Sequence, residues 1–143
     1  MIKSITLGEE IIITTKNSVG LLADIATMLA NQGVNVEAIS GYEIGDIAKL
    51  RLVTDANLGI VKELREKRYK SVVEAEALVI EIMNKPGALK VVTTELGKNK
   101  VDINCLYVTS SRSSGTGGGI FSKIVLSTSD NEKAMALLSK FIE

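Results

Sequence analysis

Hydrophobic positions alternate along residues 10–16, where Ile11, Ile13 and Thr15 fall on one face, and again along 77–83, where Leu78, Ile80 and Ile82 do. Period-two alternation is the mark of a half-buried strand. Upstream of each run, residues 2–7 and 70–76 read as further strands. Downstream, after a short loop with Asn and Gly, the spacing changes. Leu22, Ile25, Ala26 and Leu29 predict a helix over about 20–31, and Leu89, Val92, Thr93 and Leu96 predict one over about 87–98. Gly33 lies just past the first helix and suits a left-handed C-terminal cap; Lys100 holds the corresponding place after the second. Strands follow at Val34–Ser40 and Val101–Thr109, then a turn, then strands at Ile47–Val53 and Ile120–Ser127. The last helices, about 57–67 and 130–142, open with an Asn or Asp able to cap them.

The pattern occurs twice because the chain repeats at an offset of 67. KSITLGEEIIITTKNSVG (3–20) lies over KSVVEAEALVIEIMNKPG (70–87). Lys3 meets Lys70, Ser4 meets Ser71, Glu9 meets Glu76, Asn17 meets Asn84 and Gly20 meets Gly87. The apolar ladder continues through Leu22 with Leu89, Leu29 with Leu96, and Val36 with Ile103. Later, Thr54 and Asn57 match Thr128 and Asn131 at an offset of 74, so the second repeat has gained residues in the loop SSRSSGTGGG (110–119).

Each repeat reads as a split βαβ, ferredoxin-like βαββαβ order if its last strand comes from the start of the next repeat. The class is α+β with antiparallel sheets. The first repeat takes Ser71–Glu76 as its fourth strand, whereas the second ends after its second helix. The surplus strand lies at the other end of the chain, Ile2–Leu7. Two arrangements are open. Residues 2–7 complete the second repeat, giving a closed pseudo-twofold pair with units at 8–76 and 77–143 plus 2–7. Alternatively the second sheet has three strands and the N-terminus is a loose tail. An edge left bare invites aggregation, which favours the closed pair. Ile12 and Val79 point away from the helices, so that outer sheet face is expected to meet another sheet.

The chain's one proline stands in Asn84-Lys85-Pro86-Gly87, between strand and helix. Proline has no N–H and a fixed φ, so it fits at or before a first helical turn. Glycine permits a tight turn and a close approach to the backbone. The amides of residues 86–90, less the one proline lacks, are donors at a positive helix end that can hold a carboxylate. A strand-to-helix turn alone calls for the same residue types, so the spacing leaves both readings open.

A strand ending in Asn-Lys-Pro-Gly, a helix opening with Leu, and then Val101-Asp102-Ile103-Asn104 resembles the ACT domain, a βαββαβ regulatory module of amino-acid metabolic enzymes. The first repeat offers NSVGLL followed by GVNVEAI, and the second NKPGAL followed by VDINCL, so the likeness covers nearly the whole chain twice. The resemblance implies a small ligand, most often an amino acid, held where two modules meet. The loops would be Asn17, Ser18, Val19, Gly20, Leu21 with Leu22, and Asn84, Lys85, Pro86, Gly87, Ala88 with Leu89. The facing strand of the partner module would offer Ile39 and Ser40, or Leu106 and Tyr107. Backbone amides would take the ligand carboxylate, and Asn17 or Asn84 its ammonium. The first repeat departs from the pattern, with Val19 where proline is usual and Ser18 where a basic residue is usual.

Composition narrows the chemistry. Lys+Arg and Asp+Glu are 17 each, so no net field favours nucleic acid or an anionic membrane. There is no His and no Trp. The commonest acid/base group and metal ligand is therefore missing, and neither a catalytic site nor a metal or cofactor is expected. The single Cys105, on an apolar strand with no His to activate it, reads as a small buried hydrophobe. Gly115-Thr116-Gly117-Gly118-Gly119 lies between strands and lacks a following Gly-Lys-Ser/Thr, so it reads as a hairpin loop, or a lid, rather than a phosphate cradle. KELREKRYK (62–70) interleaves Glu63 and Glu66 with its cations and reads as a solvated helix face. Lys49 and Arg51 alternate with Leu50 and Leu52, as on a half-exposed strand.

The N-terminus shows no signal-peptide core and no apolar run is long enough to span a bilayer, so a cytoplasmic location is expected. Two modules use up the chain, which points to a free-standing regulatory protein with no attached catalytic domain. Its expected partners are an amino acid and either further copies of itself or a partner enzyme. The other reading is a ligand-free structural or oligomerisation module.

Overall fold

The structure, a computed structural model, describes residues 1–112 and 120–143. The strands expected at 2–7 and 10–16 run as one, β1 (Ile2–Lys16), straight through Gly8. The chain continues through α1 (Leu21–Asn31), β2 (Val36–Ile44), β3 (Ile47–Thr54) and α2 (Asn57–Glu66). The second long strand is β4 (Ser71–Met83), followed by α3 (Ala88–Lys98), β5 (Ile103–Arg112), β6 (Ile120–Thr128) and α4 (Asn131–Ser139). The backbone divides into two units, Glu9–Ala75 and Met1–Gly8 with Glu76–Glu143. β1 and β4 each contribute residues to both units.

In the unit Glu9–Ala75 the strand order is β2-β3-β1-β4. β1 pairs antiparallel with β3, setting Ile11 against Leu52 and Ile13 against Leu50. These side chains join Ile25, Leu29, Ile60 and Leu64 from α1 and α2 in one core. Each fully buried Ile or Leu of this kind contributes about 1.5–3 kcal/mol relative to exposure. Ile12, one residue out of phase, stays half-buried.

The other unit repeats the scheme, with the order β1-β4-β6-β5. β4 pairs antiparallel with β6 through Leu78 against Leu126 and Ile80 against Ile124, the same ladder positions displaced along the chain. Ile2 and Ile5 are buried with Leu78, Ile80, Val92, Leu96 and Leu138. The N-terminal strand therefore completes this unit's sheet; the Met83 amide donates to the Met1 carbonyl at 3.0 Å. Each unit is α+β and ferredoxin-like.

Several boundaries differ from expectation for physical reasons. β2 and β5 start two residues late because the helices ahead of them close with bonds that reach into the next segment. The amide of Val34 donates to Leu29 and that of Val101 to Leu96, both at 3.0 Å. Gly33 and Lys100 stand in the left-handed region at φ 67° and 59° to allow this. β5 extends to Arg112, so Ser110–Arg112 belong to a strand rather than to the loop. The glycine-rich stretch 115–119 lies outside the described residues. α4 ends at Ser139, because the backbone of Phe141 and Glu143 turns to bond Ile2 instead. Among the described residues, no helix is long and apolar enough to cross a membrane.

Candidate functional site

The loops at 17–20 and 84–87 each join a central strand to the first helix of a unit. The loop asparagines, Asn17 and Asn84, do not cap these helices. The N-cap residues are Gly20 and Gly87, both at φ 89°, and neither helix has a side-chain cap. A left-handed φ at this place turns the chain sharply from strand to helix, and glycine takes it without a Cβ clash. The first amide of each helix is used locally, Leu21 to Ser18 and Ala88 to Lys85, both at 3.2 Å. The next two, on Leu22 and Ala23 and on Leu89 and Lys90, have no acceptor among the described residues. Such donors sit at the positive end of the helix. The later helices differ from each other. Asp130 caps α4 by accepting from the Lys133 amide at 3.0 Å. Asn57 does not cap α2: its side chain takes the Thr54 hydroxyl and donates to the Glu9 carbonyl.

Asn17 is turned to another use. Its backbone amide donates to Asp46 at 2.6 Å, tying the loop to the β2–β3 turn. Its side-chain amide donates to Glu43 Oε2 at 2.7 Å. Loop and hairpin together enclose an open cleft of ≈ 380 Å³. Its floor is Leu21, Ala48 and Leu50, all buried, and its rim includes Asn17, Ser18, Tyr42 and Glu43. The volume falls at the small end of ligand pockets. Gly41 shapes the floor, since a Cβ there would come within 2.6 Å of Leu50 Cδ2. The matching cross-strand pair in the other unit is Val108 with Ile124, where side-chain bulk is shared differently between the strands.

The family model for the ACT domain matches residues 10–68. Those residues form an ACT domain. The other unit has the same order of elements and of strands, so the chain contains two ACT-like ferredoxin folds. No match is found among curated proteins. Among solved structures, protein BT0572 from Bacteroides thetaiotaomicron is similar with a TM-score of 0.80 at 23% identity, over 95% of this chain and 89% of that one. The ligand-free regulatory subunit of aspartate kinase from Thermus thermophilus is similar with a TM-score of 0.65 at 11% identity, over 99% of both chains. Aspartate kinase from Clostridium acetobutylicum is similar with a TM-score of 0.55 at 17% identity, over 100% of this chain and 35% of that one. At these identities the likeness is one of fold.

Of the residues expected around the first ACT loop, Asn17, Ser18, Gly20, Leu21 and Leu22 line the cleft. Val19 points fully into solvent, and Ile39 and Ser40 lie on β2 beyond the lining. In the second loop Asn84, Lys85, Pro86, Gly87 and Leu89 are exposed and Ala88 is buried. Leu106 and Tyr107 are half-buried on β5, as is Cys105.

Tyr42, Glu43, Ala48 and Leu50 escaped the sequence reading. They reach the cleft because the hairpin folds back over its own unit's loop. The only sequence signal was Gly45-Asp46, a tight turn just past Glu43. Also missed was an ion pair inside this unit. Glu10 is 1% exposed and its Oε1 lies 2.6 Å from Nη1 of Arg51, itself 15% exposed. Lys49 and Arg51 do alternate with buried Leu50 and Leu52, and on that less buried face Arg51 meets a buried carboxylate. On the helix side of the same unit, burial and then the charge of Asp24 push the Tyr69 phenol above its ordinary 10.0.

Proposed function

We propose that the chain is a non-catalytic regulatory protein that binds an amino acid and passes its bound or free state to a partner enzyme or to its own assembly. The residues expected to hold the ligand are the loops Asn17–Leu22 and Asn84–Leu89. Three things support this reading: the ACT match over residues 10–68, the fold shared with a regulatory subunit of aspartate kinase, and the cleft at the first loop. The observation that carries it is the geometry of that cleft. Free amides at a helix start suit a carboxylate, the rim offers polar acceptors, and the buried floor suits a short apolar side chain. Regulation then requires only that the ligand bind one state of the chain more tightly than another.

The two loops differ in charge. α1 carries Asp24 in its first turn, whereas α3 has no acid there and is flanked by Lys85 and Lys90. The second loop is thus the better carboxylate site by electrostatics, and the first loop's departures at Ser18 and Val19 fit a retuned site.

A thermal-shift screen of the twenty amino acids tests the proposal. A ligand at ~100 times its Kd stabilises by ~2.7 kcal/mol, an easily read shift. A flat screen at millimolar ligand overturns sensing and leaves the ligand-free oligomerisation module.

A further inference from the structure

We propose that Glu43 makes the cleft of the unit Glu9–Ala75 selective for a primary ammonium group, so that this ACT unit reads the amine end of its ligand. The inference rests on the ligand-binding reading above and adds the residue that sets ligand class.

Glu43 does what a plain hairpin residue would not. Its side chain is exposed on the rim of the cleft, yet it is held there by Asn17 through Oε2 at 2.7 Å. A carboxylate has about four acceptor positions. Asn17 fills one, and Oε1 has no partner among the described residues. The group is therefore fixed in direction with accepting capacity to spare. Asn17 is itself fixed by its backbone bond to Asp46, so the pair is oriented before any ligand arrives. Preorganised acceptors lose less freedom on binding than free side chains do.

The surroundings select the sign of the ligand. Among the described residues, no Lys or Arg lines this cleft and its one charged side chain is Glu43. An anion lacking an amine meets a fixed negative charge there, whereas an ammonium meets its counter-ion. Below the rim, Leu21, Ala48 and Leu50 form a floor without charge, which fits a short aliphatic chain attached to that ammonium. By the repeat offset, Glu43 corresponds to Ser110 and Ser18 to Lys85. The amine-reading residue belongs to one unit only, so the two ACT units are specialised for different ends or kinds of ligand.

Three probes separate the chemistry: the pooled L-amino acids, isobutylamine and isovalerate, each titrated into the full chain and followed by amide chemical shifts. The amino acids and isobutylamine are expected to move the amides of residues 17–23, 42 and 43, and isovalerate is not. Glu43→Gln keeps shape and hydrogen bonding but removes the charge, and is expected to weaken isobutylamine about tenfold, the loss of one charge-assisted contact. Glu37→Gln, on the same strand away from the cleft, is expected to change nothing. Isovalerate binding as well as isobutylamine, or Glu43→Gln binding isobutylamine undiminished, overturns the proposal. Amino acids that move only residues 84–90 also overturn it, while leaving amino-acid sensing intact. No shift with any probe overturns both.

Discussion

Replacing Lys100 with glycine should stabilise the protein, and replacing Gly33 with alanine should destabilise it by a similar amount. The two positions are the same place in the two repeats, just past α3 and α1. Both lie in the left-handed region, Lys100 at φ 59° and Gly33 at φ 67°. Both close their helix in the same way, with amide bonds of 3.2 Å from Lys100 to Gly97 and 3.0 Å from Gly33 to Ala30. Both are exposed, so packing does not intervene. What differs is the Cβ. A side chain in this conformation costs roughly 1–2 kcal/mol. Glycine at the same place gives back roughly 0.5–1 kcal/mol through the greater freedom of its unfolded chain. The difference leaves Lys100→Gly ~0.5–1 kcal/mol more stable. Urea unfolding followed by far-ultraviolet circular dichroism reads this directly. With a slope of about 1–3 kcal/mol per molar, the midpoint should rise by about 0.2–1 M for Lys100→Gly and fall comparably for Gly33→Ala. A lowered midpoint for Lys100→Gly, or an unchanged one for Gly33→Ala, would refute the claim that the cap conformation governs both sites.

Two further predictions concern the unit Glu9–Ala75. Arg51→Leu removes the guanidinium from a carboxylate that is 1% exposed, and should cost ~3 kcal/mol in urea unfolding. The double variant Glu10→Leu/Arg51→Leu should regain much of that loss, and a double variant no better than Arg51→Leu alone would argue against the pair. The Tyr69 phenol is pushed up first by burial and then by Asp24, so the folded state holds its proton more tightly than the unfolded state does. Its contribution to stability is complete below pH 10.0 and is lost as pH rises through the higher folded value. Absorbance titration at alkaline pH should show a late-titrating component that is absent in Tyr69→Phe and earlier in Asp24→Asn.

The order and type of elements were written locally in this chain. Ile11, Ile13, Leu78 and Ile80 alternate because a strand shows every second side chain to the core, and Leu22, Ile25 and Leu29 recur because a helix shows every third or fourth. The repeat offset was visible for the same reason, since matched positions face matched environments. Even the need for a fourth strand, met by Ile2–Leu7, followed from counting elements. Other features depended on residues far apart in sequence. Nothing near Asn17 shows that its side chain will meet Glu43 rather than cap a helix, because that choice is made by the hairpin turn at Gly45-Asp46 folding back on the loop. Nothing near Arg51 shows that Glu10, 41 positions away, will be buried against it. Periodicity records which side of an element is apolar; only the packed structure decides which polar groups meet, because such pairs are set by the folding of distant segments onto one another.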